Sequence, residues 1–468
     1  MSTAPHHLAS LRQHAFALRE MQRFAEADAV FAAGVAQFPT DPALAFGLAQ
    51  TRFELGHHAA NLFAKAAALA GDHPDIARNQ ALALIAEGRS DEARELLAAR
   101  LARCPDWLDG HKALAVLNWT TGDTHHFSDH LGAACRAQPT NAALWLLWFR
   151  NLAQARDWSA ALDVLDQAEC HLGTTPAIAV SRLFVAVEGG APGAADLIAA
   201  TAHYRGDVSS LCRIRHALRS GDASAAQAEA LPLVRGPSAA LYWPYLSLAW
   251  RMMGDGRADW LDQPDVLIRT LESGLAAADL DDVAAVLRGL HTAAQPYLEQ
   301  SVRGGTQTDR SVLLRHEPEL AALKGRLLDL LADYIAALPP PDPAHPLLGA
   351  PRGGPLLLEG SWSVRLAAQG HNVPHTHAMG WLSTAFYVAL PAPDQLGAAP
   401  AGHLALGTPP AELALPLQPY RTIEPAPGRL AVFPSTMWHS TVPFDDGERL
   451  VIAFDIRRPT HQDSAHAV

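Results

Sequence analysis

The chain contains 468 residues, and 48 Asp and Glu against 36 Lys and Arg give it a formal net charge of −12 at pH 7. This acidic balance does not suit a nucleic-acid partner, whose phosphates attract clustered cations. The chain is 49% hydrophobic, which is enough for packed cores in about two to four domains. No apolar run approaches the roughly 20 residues of a membrane span, and residues 1–20 lack the apolar block of a signal peptide. We therefore expect a cytoplasmic protein without a membrane or nucleic-acid partner.

A change in the pattern of apolar residues divides the chain. Apolar positions recur at helical spacing from Leu8 to about Ala337, and the alternation typical of strands replaces them from Leu347 onward. The prolines of the segment 338–343 stop the helix predicted over 317–338, because proline rings remove amide donors and clash with the preceding turn. The pattern predicts a multidomain α then α+β chain.

A repeat is visible in the helical part. Four prolines are separated by 35, 31 and 34 residues: Pro39, Pro74, Pro105 and Pro139. Alternating small and large apolar residues precede three of them and continue further on: Ala27 and Phe31, Ala93 and Leu97, Leu131 and Ala134, then Ala161, Leu165 and Ala168. Small residues let paired helices approach, and large ones fill the gap to the next pair. The pattern resembles the tetratricopeptide repeat, abbreviated TPR; an irregular α-solenoid is the alternative.

The predicted boundaries follow from these signals. We expect a TPR-like α-solenoid over residues 8–278, although its period blurs after residue 177. A second helix is expected to begin near Gly221-Asp222. Residues 279–346 are predicted to form a helical lead-in with a Pro-rich connector, and residues 347–460 a β domain. Within the β domain, residues 391–419 are rich in Pro, Gly and Ala, which predicts either a lid or a solvated insertion.

Metal-capable residues are concentrated in the β domain. His375 and His377 are two apart, so on a strand both imidazoles face the same ion, and a jelly roll can bring His439 beside them. A pair of surface histidines is the alternative for this short motif. Arg449 follows His439 across the turn Asp445-Asp446-Gly447. A buried guanidinium needs a carboxylate partner, which a dicarboxylate cosubstrate would supply.

The segment from about Gly360 to Arg457 resembles the family of 2-oxoglutarate- and iron(II)-dependent oxygenases with a double-stranded β-helix core. The resemblance is carried by Ser361–Val364, Pro374–His377, Trp381–Ser383, Phe386–Val388, Pro427–Leu430, Phe433-Pro434, Trp438-His439, Glu448-Arg449 and Ala453-Phe454. It implies Fe(II) as cofactor and 2-oxoglutarate as cosubstrate. The residues 298–308 also resemble the lead-in of TPR fusions in this family, with a plain loop as the alternative.

The resemblance also implies roles for individual residues. His375 and His439 take the places of two metal ligands, and Arg449 that of the residue holding the far carboxylate of 2-oxoglutarate. His377 stands where the family usually has a carboxylate ligand, and we predict that it is the third ligand. Val451 stands where a hydroxyl often contacts the cosubstrate.

Several interpretations of individual side chains stay open. Tyr387 or Ser383 either supplies the hydroxyl that Val451 lacks or simply packs. Asp455 is interpreted as the partner of a neighbouring Arg.

The sequence leads to three functional hypotheses. The first is a dioxygenase that hydroxylates a peptide or protein side chain presented by the helical array. The second is a TPR-based scaffold with a catalytically degenerate β-helix, and the third a cupin-like three-histidine enzyme that needs no 2-oxoglutarate. Within the first, the array could instead scaffold a partner while the β domain oxidises a free metabolite. No signal in the sequence indicates the oligomeric state.

Overall fold

The computed structural model describes residues 4–71 and 73–460. The first three residues of the segment 1–20 therefore lie outside the described residues. Two compact units are present. Unit 1 comprises the described residues up to Asn151 with Thr292–Leu298 and Arg310–Leu323, and unit 2 comprises Leu152–His291, Glu299–Asp309 and the described residues from Lys324 onward.

The first half of the chain is helical. Its α-helices are α1 (Ala4–Glu20), α2 (Phe24–Gln37), α3 (Pro42–Glu54), α4 (Ala60–Ala70), α5 (Pro74–Ala86), α6 (Ser90–Arg103), α7 (Leu108–Thr120), α8 (Asp129–Ala137), α9 (Ala142–Gln154), α10 (Trp158–Leu172), α11 (Pro176–Glu188), α12 (Ala194–Ala200), α13 (Asp207–Arg219), α14 (Ala223–Ala230), α15 (Ala239–Met253), α16 (Arg257–Asp262) and α17 (Pro264–Leu267). From α1 to α7, and again from α10 to α16, each helix packs on the next. Their short connections make neighbouring helices antiparallel. The predicted array of helical hairpins is confirmed.

The repeat positions have the predicted structural roles. Ala27, Phe31 and Ala93 are all fully buried, and each lies on the second helix of a pair. The close approach of α2 and α3 depends on Gly47, because a Cβ there would lie 2.3 Å from a ring carbon of Phe31. The predicted second helix near residue 221 is α14, whose first turn is capped by the Asp222 side chain.

The second half adds three α-helices and nine strands in the described part of the chain. The helices are α18 (Ala277–Leu290), α19 (Pro318–Ala336) and α20 (Pro393–Leu396). The strands are β1 (Arg269–Glu272), β2 (Val302–Gln307), β3 (Leu358–Asn372), β4 (Gly380–Ala389), β5 (Leu404–Leu406), β6 (Arg421–Ile423), β7 (Arg429–Pro434), β8 (His439–Thr441) and β9 (Arg449–Arg457). As predicted, α19 ends before the prolines that follow it.

Two antiparallel sheets form the β part of unit 2. Their strand orders are β1-β7-β4-β9-β3-β2 and β6-β5-β8. One apolar cluster joins the facing sides of the two sheets and includes Ala385, Leu404, Leu406, Phe433 and Val451. Two facing antiparallel sheets are the architecture of a jelly roll, so the predicted fold class is confirmed.

The two sheets include segments that were not predicted as strands. β1 pairs with β7 although it lies within the predicted solenoid, and β2 pairs with β3 although it lies within the predicted helical lead-in. β5 lies within the segment 391–419, predicted as lid or insertion, and is the central strand of the smaller sheet. Its residues are buried, so this part of the segment belongs to the core. Across residues 4–71 and 73–460, no helix has both the length and the apolar character needed to cross a membrane.

Candidate metal centre and cosubstrate pocket

Three histidines converge between the two sheets of unit 2. The backbones of His375 and His439 exchange two hydrogen bonds of 3.0 Å, N–H to carbonyl in each direction, which fixes the strand β8 beside the loop after β3. His377 lies two residues further along this loop and donates its backbone N–H to Ser435. One ring nitrogen from each of the three histidines lies within 4.8 Å of the others. The structure therefore brings together all three predicted metal ligands.

Hydrogen bonds at the three Nδ1 atoms select the tautomer of each imidazole. Nδ1 of His375 lies 2.8 Å from the carbonyl oxygen of Val373, and Nδ1 of His439 lies 3.1 Å from that of Met437. A carbonyl oxygen only accepts, so each Nδ1 carries the proton and each Nε2 keeps its lone pair. The Nε2 atoms of these two histidines therefore keep their lone pairs for a metal ion, and that of His375 lies 3.3 Å from the hydroxyl of Ser301.

The third imidazole is held by a carboxylate. Nδ1 of His377 lies 2.8 Å from Oδ1 of Asp455, and the Ser383 hydroxyl donates to the same oxygen at 2.6 Å. The hydroxyl of Ser435 lies 2.9 Å from that of Ser383 and is the donor of this pair, because the single hydroxyl proton of Ser383 goes to Asp455. The interpretation of Asp455 as the partner of an Arg is thus wrong: its partner is a predicted metal ligand.

The placement of Ser383 does not suit its predicted contact with the cosubstrate. In the ladder between β4 and β9, Ser383 lies opposite Asp455, six residues along the strand from Arg449. At about 3.3 Å per residue this is roughly 20 Å. Ser383 therefore supports the histidine end of the site. Tyr387, which lies opposite Val451 in the same ladder, is the hydroxyl residue near the arginine.

The metal-binding form of the histidines is favoured by their surroundings. Burial lowers the pKa of His375 to about 3, and repulsion from His377 adds to this effect. Burial, followed by repulsion from the other two histidines, holds the pKa of His439 well below its ordinary value. Both imidazoles are therefore neutral near pH 7, as a metal ligand must be.

Arg449 lies at the start of β9 and is buried, with 2% of its surface exposed. Its guanidinium carbon is 5.1 Å from the centre of the Tyr387 ring. Among residues 4–71 and 73–460, neither the Nε of Arg449 nor the hydroxyl of Tyr387 has a hydrogen-bond partner, and no carboxylate pairs with Arg449. Burial lowers the pKa of Arg449, but a guanidinium stays cationic in proteins. The pair thus presents an unneutralised charge and an unused hydroxyl.

One cavity is shared by the histidine centre and Arg449, whereas Tyr387 does not line it. It has about 460 Å³ of empty space, its open mouth included, and its wall includes the three histidines and Arg449. Trp362, Leu404, Phe433 and Val451 contribute apolar surface to the same wall. A ligand in this cavity can therefore contact a metal ion at the histidines and an anion-binding arginine at once.

The residues present fit the two groups that the resemblance implies. Three imidazole nitrogens suit a divalent transition metal such as Fe(II), and the open cavity leaves coordination positions for other ligands. The unpaired guanidinium and the adjacent hydroxyl suit a carboxylate that enters with its own negative charge. The family usually uses two histidines and a carboxylate as metal ligands. In this chain the third predicted ligand is His377, and the carboxylate of Asp455 contacts Nδ1 of that histidine.

Comparison with known families agrees with this chemistry. The family described as "Putative 2OG-Fe(II) oxygenase" matches residues 360–455, which contain the three histidines and Arg449. Residues 360–455 thus match the model of an oxygenase domain of this type, and in the sequence they follow the array of helical hairpins. A sequence search found no curated protein that matches the chain.

Solved structures similar to parts of the chain include oxygenases and a repeat protein. A Pseudomonas putida prolyl-4-hydroxylase is 19% identical over 41% of this chain and 93% of its own, with a TM-score of 0.28. HygX from Streptomyces hygroscopicus, solved with nickel and 2-oxoglutarate, is 13% identical over 42% and 85%, with a TM-score of 0.29. A tetratricopeptide repeat protein from Parabacteroides merdae is 14% identical over 44% and 82%, with a TM-score of 0.28. These scores are too low to support a functional comparison.

Proposed function

We propose that the chain is an Fe(II)- and 2-oxoglutarate-dependent dioxygenase that hydroxylates a side chain of a peptide or protein. The observation that carries this proposal is the unpaired buried Arg449 in the same cavity as three convergent imidazoles. A buried charge is costly unless a partner arrives. A cosubstrate with a carboxylate at each end satisfies both ends of the cavity.

In this proposal, His375, His377 and His439 would hold the iron through Nε2. Arg449 would bind the far carboxylate of 2-oxoglutarate, and Tyr387 would donate its hydroxyl to the same group. Iron(II) with 2-oxoglutarate and O₂ supplies the oxidising power that places a hydroxyl on a C–H bond, with succinate and carbon dioxide as coproducts. The chain's own part is to bind, to orient and to exclude water.

Water exclusion falls to the apolar wall of the cavity. Leu404 and Phe433 are almost fully buried, and Val451 lies between Arg449 and the histidine end on the same face of β9. An apolar environment strengthens the contact between Arg449 and a carboxylate, because the effective dielectric constant is low. It also keeps solvent away from the reacting groups.

Packing of helices beside the metal centre supports a macromolecular substrate. Trp438, next to the metal ligand His439, donates its indole N–H to the carbonyl of Pro244 in α15 at 3.1 Å. Its ring also meets that of Tyr245 edge to face, with centres 5.5 Å apart. Helices of unit 2 therefore flank the centre directly, and a helical array commonly holds an extended chain. The alternative is that the array scaffolds a partner while the cavity takes a free metabolite.

Anaerobic titration tests the dioxygenase proposal. Fe(II) is added to the full chain with and without 2-oxoglutarate, and the visible charge-transfer absorption of an iron–2-oxoglutarate chelate is recorded. We expect the band in the wild type, and we expect Arg449→Gln to keep iron binding while requiring at least 10-fold more 2-oxoglutarate. Arg457→Gln is the matched control, because Arg457 is an exposed arginine on the same strand that pairs with Glu359.

Each failure has a distinct meaning. A wild type that binds no iron would contradict the proposal and favour the TPR-based scaffold with a degenerate β-helix. A wild type that binds iron and, in air, oxidises a substrate without 2-oxoglutarate would favour the cupin-like enzyme.

The substrate class needs a separate measurement. The full chain, loaded with Fe(II) and 2-oxoglutarate in air, is incubated with a peptide library, and products are analysed for a mass gain of one oxygen. We expect oxidised peptides with the wild type and none with His439→Ala. Stimulation of succinate formation by small metabolites, without oxidation of any peptide, would contradict the peptide assignment and leave the dioxygenase assignment intact.

A further inference from the structure

We infer that Asp455 is a positioning residue which, through His377, supplies the metal centre with the negative charge that a carboxylate ligand would otherwise provide. This inference rests on the proposed function, since it concerns the same iron site. It assigns a role to a residue that does not itself face the metal ion.

The contact between the two residues is close and double. Nδ1 of His377 lies 2.8 Å from each carboxylate oxygen of Asp455. Asp455 is 5% exposed, and its other donor, Ser383, is fully buried. Ser435 donates to Ser383 and is itself buried, so a short chain of two hydroxyls leads to the carboxylate and holds it in place. This network locks the orientation of the His377 ring.

No other cation competes for this carboxylate. In the part of the chain that the structure describes, the ion-pair partner of Asp455 is His377 and no Lys or Arg pairs with it. A buried carboxylate without a cation is costly. A divalent metal at Nε2 of His377 would remove that cost, because it draws charge out of the imidazole and strengthens the N–H that Asp455 accepts.

The three ligands differ in this respect. His375 and His439 donate their Nδ1 protons to the carbonyl oxygens of Val373 and Met437, which carry no net charge. Of the three predicted ligands, only His377, which stands where the family usually has a carboxylate ligand, donates its Nδ1 proton to a carboxylate. A metal dication with three neutral imidazoles keeps a charge of two, whereas Asp455 brings the whole centre to a charge of one, as a directly bound carboxylate would.

The test measures Fe(II) affinity and the energy of the charge-transfer band with 2-oxoglutarate, under anaerobic conditions, in full-length variants. Asp455→Asn keeps the shape of the side chain and one acceptor oxygen for Nδ1 of His377, removes the charge, and replaces the second oxygen by an NH₂ donor. We expect it to bind Fe(II) about 10–100-fold more weakly than the wild type and to shift the band. Thermal unfolding of the metal-free proteins checks that both are folded.

A second background separates charge donation from a merely structural role. His377→Asp places a carboxylate directly on the metal. The metal centre then no longer needs the charge of Asp455, which instead repels the new carboxylate at position 377. We expect Asp455→Asn to leave Fe(II) affinity unchanged or to increase it in this background. If Asp455 only supported the local fold, the substitution would weaken iron binding equally in both backgrounds, which would overturn the inference.

Two further comparisons complete the test. If His377→Asp does not fold, Asp455→Glu is compared with Asp455→Asn: the variant that keeps the charge is expected to bind iron more tightly, and equal affinity would overturn the inference. The wild type alone tests the proposed function: if it shows no charge-transfer band with 2-oxoglutarate, the dioxygenase assignment is contradicted. If wild type and Asp455→Asn show the same band, only the role of Asp455 is contradicted.

Discussion

His375 and His439 are joined by two backbone hydrogen bonds, so the separation of these two predicted ligands is set by the main chain and not by their side chains. An alanine at either position keeps the bridge between the loop after β3 and β8. Alanine substitution at either position can therefore remove a metal ligand while the backbone hydrogen bonds that hold the fold remain.

We predict that His375→Ala, His377→Ala and His439→Ala each lose Fe(II). The metal-free His375→Ala and His439→Ala proteins are expected to unfold within a few degrees of the wild type, whereas His377→Ala is expected to unfold at a lower temperature because it leaves the buried Asp455 without its partner. Each substitution removes one of three nitrogen donors but none of the backbone hydrogen bonds. Bound iron is measured by elemental analysis after anaerobic loading and desalting. A His377→Ala protein that retains full iron and activity would remove His377 from the ligand set.

Tyr387→Phe is expected to have opposite effects on stability and on cosubstrate binding. The hydroxyl of Tyr387 is buried without a partner, and removing it should stabilise the empty protein by up to about 1 kcal/mol. The same change should weaken 2-oxoglutarate binding by about 3–10-fold, because a hydrogen bond to the carboxylate is lost. Chemical denaturation without cosubstrate and a 2-oxoglutarate titration measure the two effects.

Val451 offers a rescue of that variant. It lies directly opposite Tyr387 in the ladder between β4 and β9 and faces the cavity. Val451→Thr adds a hydroxyl without a change of shape, so in the Tyr387→Phe background it should recover part of the lost affinity for 2-oxoglutarate. No recovery, with both variants folded, would show that a hydroxyl at position 451 does not reach the cosubstrate, whereas unchanged affinity in Tyr387→Phe itself would show that Tyr387 does not contact it.

Most of the fold could be predicted from local patterns. The helical period and the spacing of Ala27 and Phe31 depend on neighbours within one hairpin, so the sequence was sufficient to predict the array. β1 and β5 could not be found in this way. They are short, and their hydrogen-bond partners β7 and β8 lie far along the chain, so only the assembled sheet defines them as strands.

The candidate site shows the same division. The motif around His375 and His377 and the distant Arg449 were accessible from residue type and resemblance, whereas the role of Asp455 was not. A long-range register sets that role, because it places Asp455 opposite Ser383 and within reach of His377. The alternation along β9 already placed Asp455 on the same face as Arg449, which was the available signal.

A pair of glycine substitutions tests the packing of the helical array. Gly47→Ala places a Cβ against the ring of Phe31 and should cost about 1–3 kcal/mol of stability, as overpacked cores do. Gly325→Ala is the control, because Gly325 is an exposed helical residue with no neighbour within 4 Å. There alanine should stabilise by about 0.5–1 kcal/mol. Urea denaturation measures both, and equal effects at the two sites would contradict the packing described for α2 and α3.

The last prediction concerns the pH dependence of the β part. His291 bridges β2 and β3, with Nδ1 2.8 Å from the hydroxyl of Thr306 and Nε2 2.9 Å from that of Ser363. Burial, aided by the charge of Arg365, lowers the pKa of His291 to about 4, whereas an unfolded histidine titrates near 6.5. Between these values the unfolded state binds the proton more readily, so the contribution of His291 to stability is complete above about pH 6.5 and declines as the pH falls towards 4. The stability difference between wild type and His291→Gln, measured by urea denaturation with a metal chelator, should therefore shrink from about pH 7.5 to about pH 4.5. A constant difference across that range would mean that His291 does not titrate abnormally in the folded protein.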